Sequence, residues 1–167
     1  MNTSVHEFPA GGLAEAKRCV VLRLEECSLL LAQTEVLALE STLDVRAATG
    51  KQRNATGVLS RAGQTCAVYS LDRDLSCLGT LPTPHRICAV LNHAQGPYAV
   101  SCSEVRMVER SALALHPLPR AFAARSGPVR ALVVMEGRLL LGTTAAALLA
   151  HLGQHREAEV IAFKART

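Results

Sequence analysis

The residues best able to do chemistry in this chain are six cysteines, one histidine pair and a few neighbouring carboxylates. Cys19, Cys27, Cys66, Cys77, Cys88 and Cys102 include no C-x-x-C and no zinc-ligand spacing. A nucleophilic thiol needs a lowered pKa and a base in reach. Cys66 and Cys88 instead lie in the apolar runs Cys66-Ala67-Val68 and Ile87-Cys88-Ala89-Val90, where a thiol packs as a small hydrophobe. His151 and His155 stand at i, i+4, a spacing that can grip a metal from one helical face. Gly153 between them ends a helix and no further ligand is close in sequence, so a helix-terminal histidine meeting the dipole is the simpler reading. Asp72 and Asp74 would point to different faces of a helix and cannot act as a pair there. Glu25-Glu26 reads as a solvated turn, and no G-x-S-x-G, phosphate-binding loop or H-E-x-x-H is present. No catalytic residue, metal or cofactor is expected.

Composition narrows the class. The 167 residues are 49% apolar and 19% charged, enough to bury a core in one compact domain. Only 3% are aromatic, so the core must be aliphatic and base-stacking platforms lack material. The net charge of +4 is spread among scattered arginines, with Lys17, Lys51 and Lys164 the only lysines, and no basic run marks a nucleic-acid or membrane patch. The start, Met1-Asn2-Thr3-Ser4-Val5-His6-Glu7-Phe8-Pro9, lacks the basic and apolar regions of a signal peptide, and no apolar run is long enough for a membrane span. The chain reads as soluble and cytoplasmic, with no direct membrane insertion.

Residues 1–16, with Pro9-Ala10-Gly11-Gly12, read as a flexible tail, and 17–167 as one domain of two lobes. Val20, Leu22 and Leu24 alternate along a strand, Leu29-Leu30-Leu31 returns, and Val36–Glu40 forms a third. Residues 44–56 carry Gly, Asn, Thr and charge without periodicity, as a loop would. From Gly57 to Tyr69 two apolar stretches flank a tight turn at Arg61-Ala62-Gly63, a hairpin pattern. Leu71, Leu75 and Leu78 at i, i+4 and i+7 predict a short helix over 70–78, followed by a linker at Pro82 and Pro84.

The second half repeats the first. Strands are expected at Ile87–Leu91, Tyr98–Val100 and Glu104–Glu109, a hairpin over Val129–Leu141 turning at Glu136-Gly137, and a helix at Thr143–Leu152. Glu104–Glu109 follows Glu35–Glu40 at an offset of 69 residues, which also places Cys19 on Cys88, and Gly63 falls on Gly137 at an offset of 74. Short strands with Gly-centred turns, in the same order twice, predict a mainly β fold of two pseudo-symmetric small five-stranded barrels, each with a short helix after its hairpin.

At the hairpin, Gly57-Val58-Leu59-Ser60-Arg61-Ala62-Gly63 followed by Cys66-Ala67-Val68-Tyr69-Ser70-Leu71 resembles the G-V-x-N-L-R-G…x-P-V-V-D-L segment of the CheW chemotaxis coupling family. Val36-Leu37-Ala38-Leu39-Glu40 is similar to that family's V-x-E-I-R, and Arg86–Leu91, Tyr98–Val100 and Glu104–Glu109 to its next strands. The likeness spans about residues 18–152 and lies in the order of segments more than in one motif. It implies two SH3-like barrels around a shared apolar seam, no catalytic activity, and an adaptor between the cytoplasmic tip of a chemoreceptor and the regulatory domain of a CheA-type histidine kinase. Pairing with other CheW-like proteins is a further implied contact.

The resemblance puts partner binding at Val36, Leu39, Gly57, Val58, Leu59, Arg61 and Gly63. Gly63 has a turn to make whatever the partner, and strand alternation could equally place Val36 and Leu39 in the core. Departures from the family pattern are Ala38 at the acidic position, Ala62 at the Arg position, Ala67 at the Pro and Ser70 at the Asp. A one-residue shift along an extended segment turns a side chain to the other face, so Arg61 is not a simple replacement. Losing an Arg anchor typically costs on the order of 2 kcal/mol, about thirtyfold in affinity. The chain therefore resembles an accessory member of the kind found in chemosensory systems for type IV pilus twitching. Two other classes are open: a thiol- or metal-responsive module using Cys88, Cys102 or the His151/His155 pair, and a small-barrel nucleic-acid binder using Arg46, Lys51 and Arg53.

Overall fold

The computed structural model describes residues 11–52, 54–123 and 127–153. Twelve strands follow one another: β1 (Arg18–Arg23), β2 (Ser28–Ala32), β3 (Val36–Ser41), β4 (Gly57–Arg61), β5 (Gln64–Leu71), β6 (Cys77–Leu78), β7 (Ile87–Leu91), β8 (Tyr98–Cys102), β9 (Glu104–Glu109), β10 (Ala114–Pro117), β11 (Ala131–Met135) and β12 (Arg138–Gly142). They build two sheets, ordered β10-β11-β12-β2-β1-β9 and β3-β7-β8-β5-β4, with β6 added to β5. The protein is mainly β. One helical turn lies at Arg120–Ala123, and residues 145–153 form a longer helix after the second hairpin, where the sequence predicts one.

Alternation explains why β1, β2, β7 and β8 are buried nearly end to end. One set of side chains, Val20, Leu22, Leu29 and Leu31 with Ala89, Leu91, Tyr98 and Val100, meets in a shared core between the sheets. The intervening set points the other way. Cys19, Val21 and Leu30 join Val133 and Leu140 in a core behind the first sheet, and Cys88, Val90 and Ala99 join Leu59 and Val68 behind the second. Each buried Leu or Val contributes about 1.5–3 kcal/mol relative to exposure, so the four middle strands serve two cores at once.

The internal repeat holds at the level of register. Cys19 faces Ala32 in the β1–β2 pair, and Cys88 faces Ser101 in the β7–β8 pair. Gly142 lies beside Leu30 where β12 runs parallel to β2, as Val68 lies beside Ala99 where β5 runs parallel to β8. The third strand of each repeat crosses over: β9 pairs with β1, and β3 with β7. Both hairpins turn in two residues with positive φ, Ala62 at 49° and Gly63 at 77°, Glu136 at 52° and Gly137 at 74°, the primed geometry that suits strand twist.

Three expectations need correction. The five-stranded barrels are instead two open sheets, since neither sheet's outermost strands pair with one another. Closure would require β10 to pair with β9, but β10 has four residues and ends at Pro117, which has no N–H to donate. Among the described residues, a single Arg46–Val58 bridge lies beyond β4. Secondly, 70–78 is not a helix. The chain stays extended to Leu71 and then folds back into β6, because Asp72 Oδ1 accepts the N–H groups of Asp74 and Ser76, each at 2.9 Å. That local turn lets Leu75 adopt φ of 60° and still bury itself beside Leu71 in the shared core. Thirdly, Leu13 is fully buried in the first sheet's core, so packing begins before Lys17; residues 1–10 of the expected tail lie outside the described residues.

Candidate partner interface

The proposed contact residues fall on the two outermost strands of the second sheet. On β3 the alternation is regular: Val36, Ala38 and Glu40 are half-buried, while Leu37, Leu39 and Ser41 face out. Val36 packs against the shared core and faces Leu91. A bulge between Val36 and Ala38 shifts the register there. Leu39 is 52% exposed, Leu37 45%, and Leu43 in the next turn 91%. Such residues on an unpaired strand edge form a surface for protein contact.

On β4 the placements diverge. Gly57 and Leu59 are buried, Val58 is half-buried, and Arg61 and Gly63 lie at the turn. A Cβ on Gly57 would stand 2.5 Å from Val45 Cγ1 and 2.8 Å from the Arg46 carbonyl oxygen, so glycine is required by close packing. Leu59 belongs to the second sheet's core. Of the expected contacts, Arg61 is tied to β3 through Glu40, whose Oε1 is 3.5 Å from Arg61 Nε, while Leu39 points to the opposite face of that strand from Val36 and Glu40. The Arg61 side chain is 36% exposed and ion-paired.

Five of the six thiols are held away from the thiolate form that redox chemistry and nucleophilic attack require. All six are free. Burial pushes Cys88 up to about 11 and Cys102 up to about 12, with Cys66 raising the first and Cys88 the second. Burial also raises Cys19, Cys27 and Cys66. Among the described residues no group of three or more His, Cys, Asp or Glu could hold a metal ion; His155 and Arg53 lie outside them.

The sequence reading missed a buried polar chain. Ser70 and Ser101, both fully buried, share a hydrogen bond of 2.5 Å, and Ser101 Oγ lies 2.7 Å from His85 Nδ1. Thr56 Oγ1 accepts the Ser70 N–H at 2.8 Å and donates to the Leu78 carbonyl at 2.6 Å. His85 is 2% exposed and its Nε2 has no hydrogen-bond partner among the described residues, and burial lowers its pKa against an opposing pull from Glu25. Serines inside apolar strands were the available signal, since such hydroxyls need partners when buried.

No helix among the described residues is long and apolar enough to cross a membrane. No protein-family model and no curated protein matches the sequence. Among solved structures, the scaffolding protein TtCheW from Thermoanaerobacter tengcongensis is similar at a TM-score of 0.57 and 13% identity, over 75% of this chain and 87% of that one. Two sheets sharing a seam, the crossed third strands and this likeness together establish a divergent CheW-like fold.

Proposed function

We propose that the protein is a non-enzymatic cytoplasmic adaptor in a chemosensory pathway, its two sheets serving as the two lobes of a coupling protein. In this reading it joins the regulatory domain of a CheA-type histidine kinase to a chemoreceptor tip, as an accessory CheW-like component in chemotaxis or type IV pilus twitching. Other CheW-like proteins are further partners. The observation that carries the reading is the outer side of β3, where Leu37, Leu39 and Leu43 stay exposed next to the Glu40–Arg61 pair on a fold similar to that of a scaffolding protein. Val36, Leu39, Val58, Arg61 and the Gly63 turn are the proposed contacts; Gly57 and Leu59 shape the strand from beneath.

The test is a calorimetric titration against the CheW-like regulatory domain of a CheA kinase from the same organism, with a receptor-tip fragment in parallel. Micromolar binding to the kinase domain is expected. Weaker or absent receptor binding would follow from the loss of the family's Arg at Ala62. No binding to either partner would refute the adaptor reading.

A further inference from the structure

Helix 145–153 packs Ala145, Leu148 and Leu152 into the core shared by the two sheets. The first amides of any helix lack internal acceptors. Thr144 meets one need itself, its Oγ1 accepting the Ala147 N–H at 3.1 Å. Another is met from far away in sequence: Glu35 Oε1 accepts the Ala145 N–H at 3.0 Å. Glu35 lies in the three-residue turn that carries the chain from β2 in the first sheet to β3 in the second.

The contacts around Glu35 form a closed ring. Its carbonyl oxygen accepts the Asn92 N–H at 2.8 Å. The next residue, Val36, faces Leu91 on β7, and Leu91 faces Tyr98 on β8. The Tyr98 hydroxyl then donates to the Ala145 carbonyl at 2.6 Å, which returns the path to the residue whose N–H Glu35 holds. Ala145 is therefore held at both of its backbone groups by side chains from the second sheet's side of the core. A set of contacts that closes on itself opens as a unit, because breaking either hydrogen bond leaves a buried group unpaired.

We propose that Glu35 is a positioning residue that ties helix 145–153 to the start of β3, so that the helix and this outer strand loosen together. The tie concerns the chain's own motions and stands whether or not β3 docks a partner. Its second oxygen, Oε2, is buried without a hydrogen-bond partner among the described residues. Burial raises the Glu35 pKa, with the Ala145 N–H pulling the other way. The titratable groups nearby are Tyr98, whose ring meets Tyr69 and His93 edge-on, and His151 farther along the helix.

The test is native-state hydrogen exchange on the full chain, read over residues 33–41 and over 145–153, with Glu35→Ala, Glu35→Gln and Tyr98→Phe. In Glu35→Ala both segments should exchange faster by roughly tenfold and by the same factor. Glu35→Gln, which keeps an acceptor for Ala145, should restore protection. A folded-state pKa above the unfolded one means the carboxyl favours the folded state at low pH and loses that contribution as pH rises. The ratio of wild-type to Glu35→Gln protection in both segments should therefore grow as pH falls from above the carboxyl's raised folded-state pKa toward its ordinary range, a comparison in which the histidine titrations common to both proteins cancel. If Glu35→Ala does not fold, Tyr98→Phe must loosen the same two segments. Loosening of the helix with β3 unchanged, or a Gln variant as loose as the Ala variant, would overturn the proposal.

Discussion

Arg61 and Glu40 meet with Nε 3.5 Å from Oε1, although they come from β4 and β3, the two outermost strands of the second sheet. An ion pair spans the side that no backbone hydrogen bonds close. The first sheet has a counterpart with the charges exchanged: Arg106 on its outermost strand β9 makes two hydrogen bonds to Glu136 in the β11–β12 turn, at 2.8 and 3.0 Å. In each repeat, the strand that crosses over is tied to a hairpin by one acid and one base.

The Arg61–Glu40 pair is about one-third exposed at each end, so its contribution to stability should be small, about 0.2–1 kcal/mol. A double-mutant cycle with Arg61→Ala and Glu40→Ala, read by urea unfolding, should give a coupling in that range that shrinks in high salt. A coupling above roughly 2 kcal/mol would mean that the pair is a main closure of the sheet and not a surface tie.

His85 gives a pH dependence of definite sign. Burial holds its folded pKa below the unfolded value, with Glu25 opposing. Below the unfolded pKa of about 6.5, the unfolded chain takes up a proton that the folded chain refuses, so stability should fall as pH drops through 6.5. The charged ring would carry an N–H on both nitrogens, and among the described residues Nε2 has no acceptor. Chemical denaturation between pH 5 and 8 should show this slope, and His85→Gln should reduce it. Ser101→Ala should cost about 1–3 kcal/mol at pH 7 by leaving Ser70 and His85 Nδ1 unpaired.

Much of the architecture was legible because a strand's period is short and a two-residue turn needs a permissive backbone. Ile87–Leu91 and Glu104–Glu109 match β7 and β9 at both ends, and Gly63 and Gly137 mark both hairpins. The 69-residue offset survives as matched registers. Where local side chains compete with periodicity, the sequence misleads: Asp72 Oδ1 bends 72–76 into a turn although three leucines keep helical spacing. The site was half legible. Leu39 faces out as alternation allowed, but Gly57 and Leu59 are interior, since a strand at a sheet's edge still buries one face. Glu35 and His85 escaped notice because their partners lie at Ala145 and Ser101, and such pairings have no local pattern.

The first hairpin's turn and the start of β4 differ in tolerance. Ala62 holds φ of 49°, a left-handed conformation that strains a residue with a Cβ. Ala62→Gly should therefore stabilise the protein by about 0.5–1 kcal/mol, despite the greater freedom of glycine when unfolded. Gly57→Ala should do the reverse, by about 1–3 kcal/mol, as its Cβ meets Val45 and the Arg46 carbonyl at the distances given above. Thermal unfolding of both variants checks the pair. A stabilised Gly57→Ala would show that the β4 start is looser than its contacts imply.

The thiols provide a test of the responsive-module alternative. Cys19, Cys66, Cys88 and Cys102 are buried, and burial raises all four. Under native conditions they should react with a thiol reagent only as fast as the protein opens, while half-buried Cys27 and Cys77 react first. Rapid modification of Cys88 or Cys102 in the folded protein, with a change in oligomeric state, would favour redox sensing over adaptor function.

The exposed face of β3 can be separated from its structural role by using the repeat as its own control. Leu39 faces Ala89, and Met107 faces Val20, at equivalent positions 69 residues apart in the partner strand. Both are 52% exposed. Charging either surface should change stability by no more than about 0.5 kcal/mol. If β3 is the docking strand, Leu39→Glu should weaken kinase-domain binding at least tenfold while Met107→Glu leaves it unchanged, because an anchor in an interface core typically carries more than 1 kcal/mol. Equal losses from both variants would place the contact on the first sheet as well. Loss from Met107→Glu alone would move the interface to β9 and leave Leu37, Leu39 and Leu43 without an assigned partner.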